Sequence, residues 1–246
     1  MENTIKLAFA IALACAPSAI ALSILAPNYA IANITVTSTP PPSRGPRTGT
    51  PGGPQGGGPR PLSKCPSVNT SVIAFMPAEG NTTQESPTFW FYVPYSAEQV
   101  DSFRFALRDE TDRVIQPPKN IKLSGTPGFI SLRLPPTSKP LEIGKEYRWS
   151  FSILCDPENR QDRIIREGVV RRISPPFSIT NQTERRSLIE QYQNNGLWPD
   201  AFNLLAEQRR QEPNSPTVVA DWNQMMEWLN LSNIAAPPIV SCCSLE

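Results

Sequence analysis

Not one histidine occurs among the 246 residues. That absence removes the Ser-His-Asp and Cys-His nucleophile systems and every histidine-ligated metal site. No CxxC pair occurs either, so the cysteines lack the ligand spacing of a structural zinc site. Of the 13 glycines, 7 fall between residues 40 and 61, interleaved with prolines. No glycine loop therefore follows a strand to cradle a phosphate. No cofactor and no metal is expected. Beyond the first thirty or so residues no long apolar run recurs. The formal net charge is only +1, without the concentrated basic face of a nucleic-acid binder. Carboxylate chemistry is the one catalytic class left, because a glycosidase needs only two acids about 5–10 Å apart.

What is present begins with an apolar run from Ile5 to Ala26 broken only by Lys6 and small residues, followed by Ala30-Ile31-Ala32. The small-x-small pattern is the one signal peptidase reads, and it places cleavage after Ala32, with Ala30 as second choice. Residues 1–32 are thus expected to be a signal peptide. An uncleaved membrane anchor is the alternative, since about 20 apolar residues can span a bilayer and Glu2 offsets Lys6. Once the segment is cleaved, no membrane span is expected. Cys15 lacks the leucine three residues earlier that a lipoprotein signal would carry. Residues 33–62 are expected to be a disordered linker: 40–61 alone hold 8 prolines, Arg44, Arg47 and Arg60, and no acid. Such a stretch buries too little apolar surface to offset its ordering entropy.

Period-two alternation dominates residues 63–180. Tyr147, Trp149, Phe151, Ile153 and Cys155 alternate with Glu146, Arg148, Ser150 and Ser152, giving one buried and one wet face. Phe103, Phe105 and Leu107 repeat the pattern, as do Ile130, Leu132 and Leu134. Residues 72–76, 88–93, 121–123 and 164–173 complete seven or eight strands. Turns are expected at 109–112, 125–128, 135–136 and 156–159. The spacing predicts a mainly β fold, an immunoglobulin-like antiparallel β-sandwich. Cys65 and Cys155 flank these strands, and in an oxidising compartment they are expected to pair as a disulfide. Nothing in the sequence gives Cys242 and Cys243 a role.

The period changes over 181–232. Leu188, Ile189 and Tyr192 share a helical face that stops at Asn195-Gly196. A second helix carries Pro199 in its first turn and Ala201, Phe202 and Leu205 on one side. Ser215-Pro216, a capping hydroxyl followed by a first-turn proline, starts a third, with Val218, Trp222, Met225 and Leu229 as its stripe. The first two helices resemble a tetratricopeptide hairpin. One hairpin cannot form a solenoid, so the helical extension is expected to pack on the sandwich. Residues 233–246 are expected to be a flexible tail.

Pro87-Thr88-Phe89-Trp90-Phe91-Tyr92-Val93-Pro94 is the first of several distinctive stretches. It is joined by residues 144–149, Cys155, residues 168–172, and the run from Tyr192 through Gly196, Trp198, Pro199, Asp200 and Ala201. Together they resemble the cyanobacterial "domain of unknown function 928" family over residues 62 to 230. The resemblance implies an exported protein with an uncharacterised domain and carries no catalytic residues. In a bacterium the sequons at Asn33, Asn69, Asn81, Asn181 and Asn230 are composition only.

Three groups of residues could carry chemistry. Trp90 and Tyr92 alternate with core positions and could stack on sugars, unless the helices cover them. Asp109, Glu110 and Asp112 could hold calcium, against the simpler reading of a solvated turn. Arg166, Arg171, Arg172, Arg185 and Arg186 could bind an anionic glycan or lipid, against that of a charged strand edge. The leading expectation is a non-enzymatic interaction module of the periplasm or cell envelope, with another envelope protein or a glycan as partner. Its rivals are a carbohydrate-binding module using Trp90 and Tyr92 and a carboxylate-based hydrolase of envelope glycan.

Overall fold

The computed structural model describes residues 50–51, 65–159, 161–180, 184–243 and 245. The chain divides into two units, and all described residues belong to the second, Thr37–Glu246. The proposed signal peptide, Cys15, the cleavage site, Asn33 and Asn181 lie outside the described residues. So does the linker, except for two residues that form a short strand.

The elements, in chain order, are β1 (Thr50–Pro51), β2 (Ile73–Ala74), β3 (Glu79–Thr82), β4 (Thr88–Val93), β5 (Ser102–Asp109), β6 (Val114–Gln116), β7 (Gly128–Arg133), β8 (Glu146–Leu154) and β9 (Arg163–Arg172). Three helices follow, α1 (Arg185–Asn194), α2 (Trp198–Gln211) and α3 (Pro216–Trp228). The fold is mainly β, with two sheets and a C-terminal helical layer. The larger sheet runs β1-β9-β8-β5-β6, with β3 also paired to β9, and the smaller runs β2-β4-β7.

Alternation determines which face each strand buries. Tyr147, Trp149, Phe151 and Ile153 of β8 and Phe103, Phe105 and Leu107 of β5 meet Phe89, Phe91 and Val93 of β4 in one core. Phe91 stacks on Phe151 at 4.1 Å and Phe89 lies 4.7 Å from Phe105, between ring centroids. The opposite face of the smaller sheet presents Ile73, Trp90, Tyr92 and Phe129 to the helices in a second core. Strand β4 is therefore buried on both faces, which is why its residues read as a continuous hydrophobic run.

Three expectations need correction. The larger sheet is not wholly antiparallel: β3 runs parallel to β9 in register Glu79↔Val169 to Thr82↔Arg172. Residues 121–123 form no strand, because only Ile121 bonds backbone, in a single bridge to Phe103. The described part of 233–246 is not free. The Phe129 amide donates to the Pro238 carbonyl at 2.9 Å, and the Val240 amide donates to the Phe129 carbonyl at 2.8 Å. Ile239 thus lies parallel to β7, and the Val240 side chain is buried in the first core. Glycine makes this seat: a Cβ on Gly128 would stand 2.6 Å from the Pro238 oxygen.

The helix ends follow local rules. Gly196, at φ +71, ends α1 in a Schellman arrangement: the Leu197 amide donates to the Tyr192 carbonyl and the Gly196 amide to that of Gln193. Ser215 does occupy the N-cap of α3, but its hydroxyl makes no capping hydrogen bond.

Candidate functional site

The proposed site residues end in three different situations. Trp90 is 2% and Tyr92 7% exposed. The Trp90 ring meets Phe202 edge-on at 5.9 Å, its indole N–H donates to Asn203 Oδ1, and the Arg210 guanidinium lies 4.9 Å above it. Neither ring offers a face to a sugar, so the stacking strip is not open in this arrangement. The cause is the helical layer, whose apolar stripes need the same surface.

Asp109, Glu110 and Asp112 come together at the β5 end, where Asp109 and Asp112 are partners of cations. Asp109 accepts from the Thr111 amide and hydroxyl and from the Arg113 amide and guanidinium. Asp112 pairs with Arg108 and Arg148. Close by, Glu142 is clasped by Lys139 and Lys145. The Thr111 hydroxyl, then Arg113, hold the Asp109 carboxyl down to about 2, and the two lysines hold Glu142 down to about 2. Neither carries a proton near neutral pH, as a glycosidase acid must. Among the described residues no group of three or more such side chains is placed to hold a metal ion.

These two carboxylates give a pH prediction. Their folded pKa values lie below the ordinary values of about 4, so the stability they contribute is fully present above that range. It is lost as pH falls from about 4 toward 2. Chemical denaturation at pH 6 and at pH 2.5 is expected to show the loss, and Asp109→Asn is expected to show a smaller one. An equal loss in the variant would remove Asp109 from the account.

The arginines are engaged as well. Arg166 donates to the Val72 carbonyl and Arg172 to the Leu141 carbonyl. Arg171 pairs with Glu146, and Arg186 with Asp221 and Glu190. Arg185 donates to Gln211. They tie β9 to neighbouring segments and α1 to α2 and α3 rather than converge on one point.

Two features were not singled out from the sequence. The first is Asp200, in the first turn of α2 and 4% exposed. One carboxylate oxygen accepts from the Thr82 hydroxyl at 2.5 Å. The other accepts from the Thr83 amide and hydroxyl, both at 2.7 Å. Thr83 Oγ1 lies 3.3 Å from the Tyr192 hydroxyl. Burial pushes the Asp200 carboxyl above its ordinary range, against the hydrogen bonds from Thr82 and Thr83. The group pins α2 to the end of β3 and to the residue that follows it. Its only signal in the sequence was its place in the Trp198-Pro199-Asp200-Ala201 run.

Asp200→Asn replaces one acceptor by a donor against this set of donors. It is expected to cost about 1–3 kcal/mol of stability at pH 7. A raised folded pKa means that protonation favours the folded state, so the deficit should grow as pH falls through that pKa in the wild type. Urea denaturation of both proteins at pH 7 and pH 5 checks the cost and its direction.

The second feature is an open cleft of about 660 Å³ between β7, α2 and residues 240–243. Arg210 forms its wall: its Nη1 donates to both oxygens of Glu207 at 2.9 and 3.0 Å, and its Nη2 to Ser131 Oγ at 2.8 Å. Arg133 stands at the rim, 69% exposed, with Nη2 3.9 Å from Glu207 Oε1. Glu207 is the one carboxylate among the described lining residues. Two guanidiniums around a single, already bonded carboxylate can receive an anion or a hydrogen-bonding chain. They cannot supply the acid pair that glycoside hydrolysis needs. Cys242 and Cys243 line the same cleft, whereas Cys65 and Cys155 form a disulfide elsewhere, with Cα atoms 4.9 Å apart.

Among the described residues no helix is long and apolar enough to cross a membrane. No curated protein matches the chain. The pattern of the family called Domain of Unknown Function (DUF928) matches residues 55–239, most of the chain's length, and the chain belongs to that family.

Proposed function

We propose that the protein is an exported, non-enzymatic interaction module of the periplasm or cell envelope of a cyanobacterium, binding an acidic envelope protein or glycan in the cleft between β7 and α2. The observation that carries this reading is the cleft's chemistry: an exposed guanidinium, Arg133, beside a half-buried Arg210–Glu207 pair. Export rests on the N-terminal sequence and on the Cys65–Cys155 bridge, which suits an oxidising compartment. The scaffold is read as an immunoglobulin-like sandwich carrying a tetratricopeptide-like hairpin, α1 and α2. Support comes from two sheets sharing a core and from the short Gly196 turn between the helices; the parallel strand β3 departs from that pattern. Compared with this reading, the sugar-stacking alternative has its two rings covered by the helices, and the hydrolase alternative has a single carboxylate, Glu207, among the described residues of the cleft.

The test is capture from envelope fractions by the mature protein, compared with Arg133→Glu and with Arg104→Glu on the far sheet. Capture lost only in Arg133→Glu supports the cleft. Capture unchanged in both variants, or release of sugar ends from isolated envelope glycan, overturns the reading. N-terminal sequencing of the exported protein should begin at Asn33; an intact Met1 in a membrane fraction would support the anchor instead.

A further inference from the structure

We propose, resting on the cleft reading above, that the partner is a protein, and that an extended acidic segment of it adds to the open edge of β7 as a further strand opposite Ser131 and Arg133. Strand β7 ends the smaller sheet. Successive residues of a strand turn their N–H and C=O groups to opposite sides, so the bonds already made fix which residues face outward. Phe129 uses both of its groups on the Pro238–Val240 segment. Ser131 and Arg133, two and four residues on, therefore turn theirs the same way, off the sheet. The β4 side agrees: the carbonyl of Trp90, opposite Ser131, accepts from the Phe75 amide at 2.9 Å, away from β7. Among the described residues no further backbone bond reaches the amide or carbonyl of Ser131 or Arg133. Pro135 and Pro136, which have no N–H, close the edge beyond them.

This edge already holds one extended segment. Ile239 lies parallel to β7 beside Phe129, and its neighbours make the two hydrogen bonds of 2.9 and 2.8 Å. The same pair of groups is left open at Ser131 and again at Arg133, about 7 Å further along. The cleft of about 660 Å³ is lined by both residues. An amide backbone alternates donor and acceptor at that interval, which a glycan does not. Main-chain bonds of this kind supply the affinity when a peptide extends a sheet.

Charge selects the side chain. A residue directly opposite Arg133 projects to the same face of the sheet as Arg133, toward α2. There Arg133 and Arg210 meet the single carboxylate Glu207, so one positive charge is left over among the described lining residues. A carboxylate from the partner balances it and accepts from the exposed Arg133 guanidinium. A second copy of this chain fits less well, since a two-fold pairing of β7 with itself brings like charges together.

The probe is the peptide acetyl-Thr-Val-Glu-Val-Thr-amide, added at millimolar concentration to the isotope-labelled full exported chain. The Ser131 and Arg133 amide resonances should shift and their hydrogen exchange should slow about tenfold, with the Phe151 amide unchanged. Two analogues N-methylated on alternate residues, the two Val or the Thr and Glu, separate backbone pairing from charge. One should lose at least about tenfold in affinity, because its methyls replace the N–H donors aimed at β7, and the other should stay within about threefold. Arg133→Gln should weaken the parent peptide up to about fivefold and keep the difference between the analogues. Equal affinity of the two analogues would overturn the added strand and leave the cleft as a site for charge alone. No shift at either amide would overturn it too, whatever the capture test with Arg133→Glu returns. Protection of the same amides on raising the protein concentration alone would give the edge to a second copy and overturn the proposal.

Discussion

Replacing Trp222 with alanine is expected to lower stability by about 3–5 kcal/mol, or roughly 6–20 °C in Tm for a domain of this size. The side chain is fully buried on α3. Its ring meets Phe129 of β7 edge-on at 5.0 Å and lies 5.4 Å from Phe202 of α2, so one indole joins all three parts of the second core. Its N–H donates to the Ala235 carbonyl at 3.0 Å, and the Arg209 guanidinium rests 5.0 Å from the ring. Alanine would leave a cavity, an unbonded carbonyl and a cation that has lost its aromatic partner. Helices of 10 to 14 residues are marginal alone in water, so α1, α2 and α3 depend on this packing. Thermal melts and dye binding to exposed apolar surface would measure the effect. A variant melting with the wild type would show that the helical layer is not coupled to the sheets, and Trp90 and Tyr92 would return as ligand-facing candidates.

The strands of the first core were the most legible part of the sequence. In β5 and β8 every second residue is large and apolar while its neighbours are charged or small, so period and burial agree. Strand β4 was legible as a strand but not in its outer face. A period of two tells which residues share a side and not whether the far side meets water or a helix. Only the stripes of α2 and α3, seen as surfaces needing cover, pointed to the answer. Strand β3 could not be read, because Glu79-Gly80-Asn81-Thr82 has no apolar alternation and is held by pairing to β9 some ninety residues later. The Asp200 anchor was hidden for a related reason: its partners, Thr82 and Thr83, lie nearly 120 residues away. Residues 238–240 carry too few side chains for any period, and their seat depends on two glycines that looked like ordinary turn residues. The Arg133–Glu207–Arg210 wall brings a strand and a helix together, a juxtaposition that composition could not supply.

The bridge between Cys65 and Cys155 is expected to have an effect of similar size by a different mechanism. It joins the residues before β2 to the end of β8 and encloses β2 through β8 in its loop. Closing 90 residues removes chain entropy from the unfolded state worth about 4–5 kcal/mol in the loop-closure account. Cys65→Ser should therefore lose about that much at 25 °C, and Cys155→Ser the same or slightly more, since its hydroxyl would sit in the first core. The double variant decides the mechanism. Each single change breaks the same bond, so their losses should not add, and the double variant should lie within about 1 kcal/mol of either one. Urea denaturation without reductant measures all three, and the wild type under strong reductant should converge on them. Losses that add would mean that the two side chains act through separate packing and not through a shared bond. A loss below about 1 kcal/mol in Cys65→Ser would mean that residues 66–154 are already confined in the unfolded chain, and the strands would then have to hold together on the first core alone.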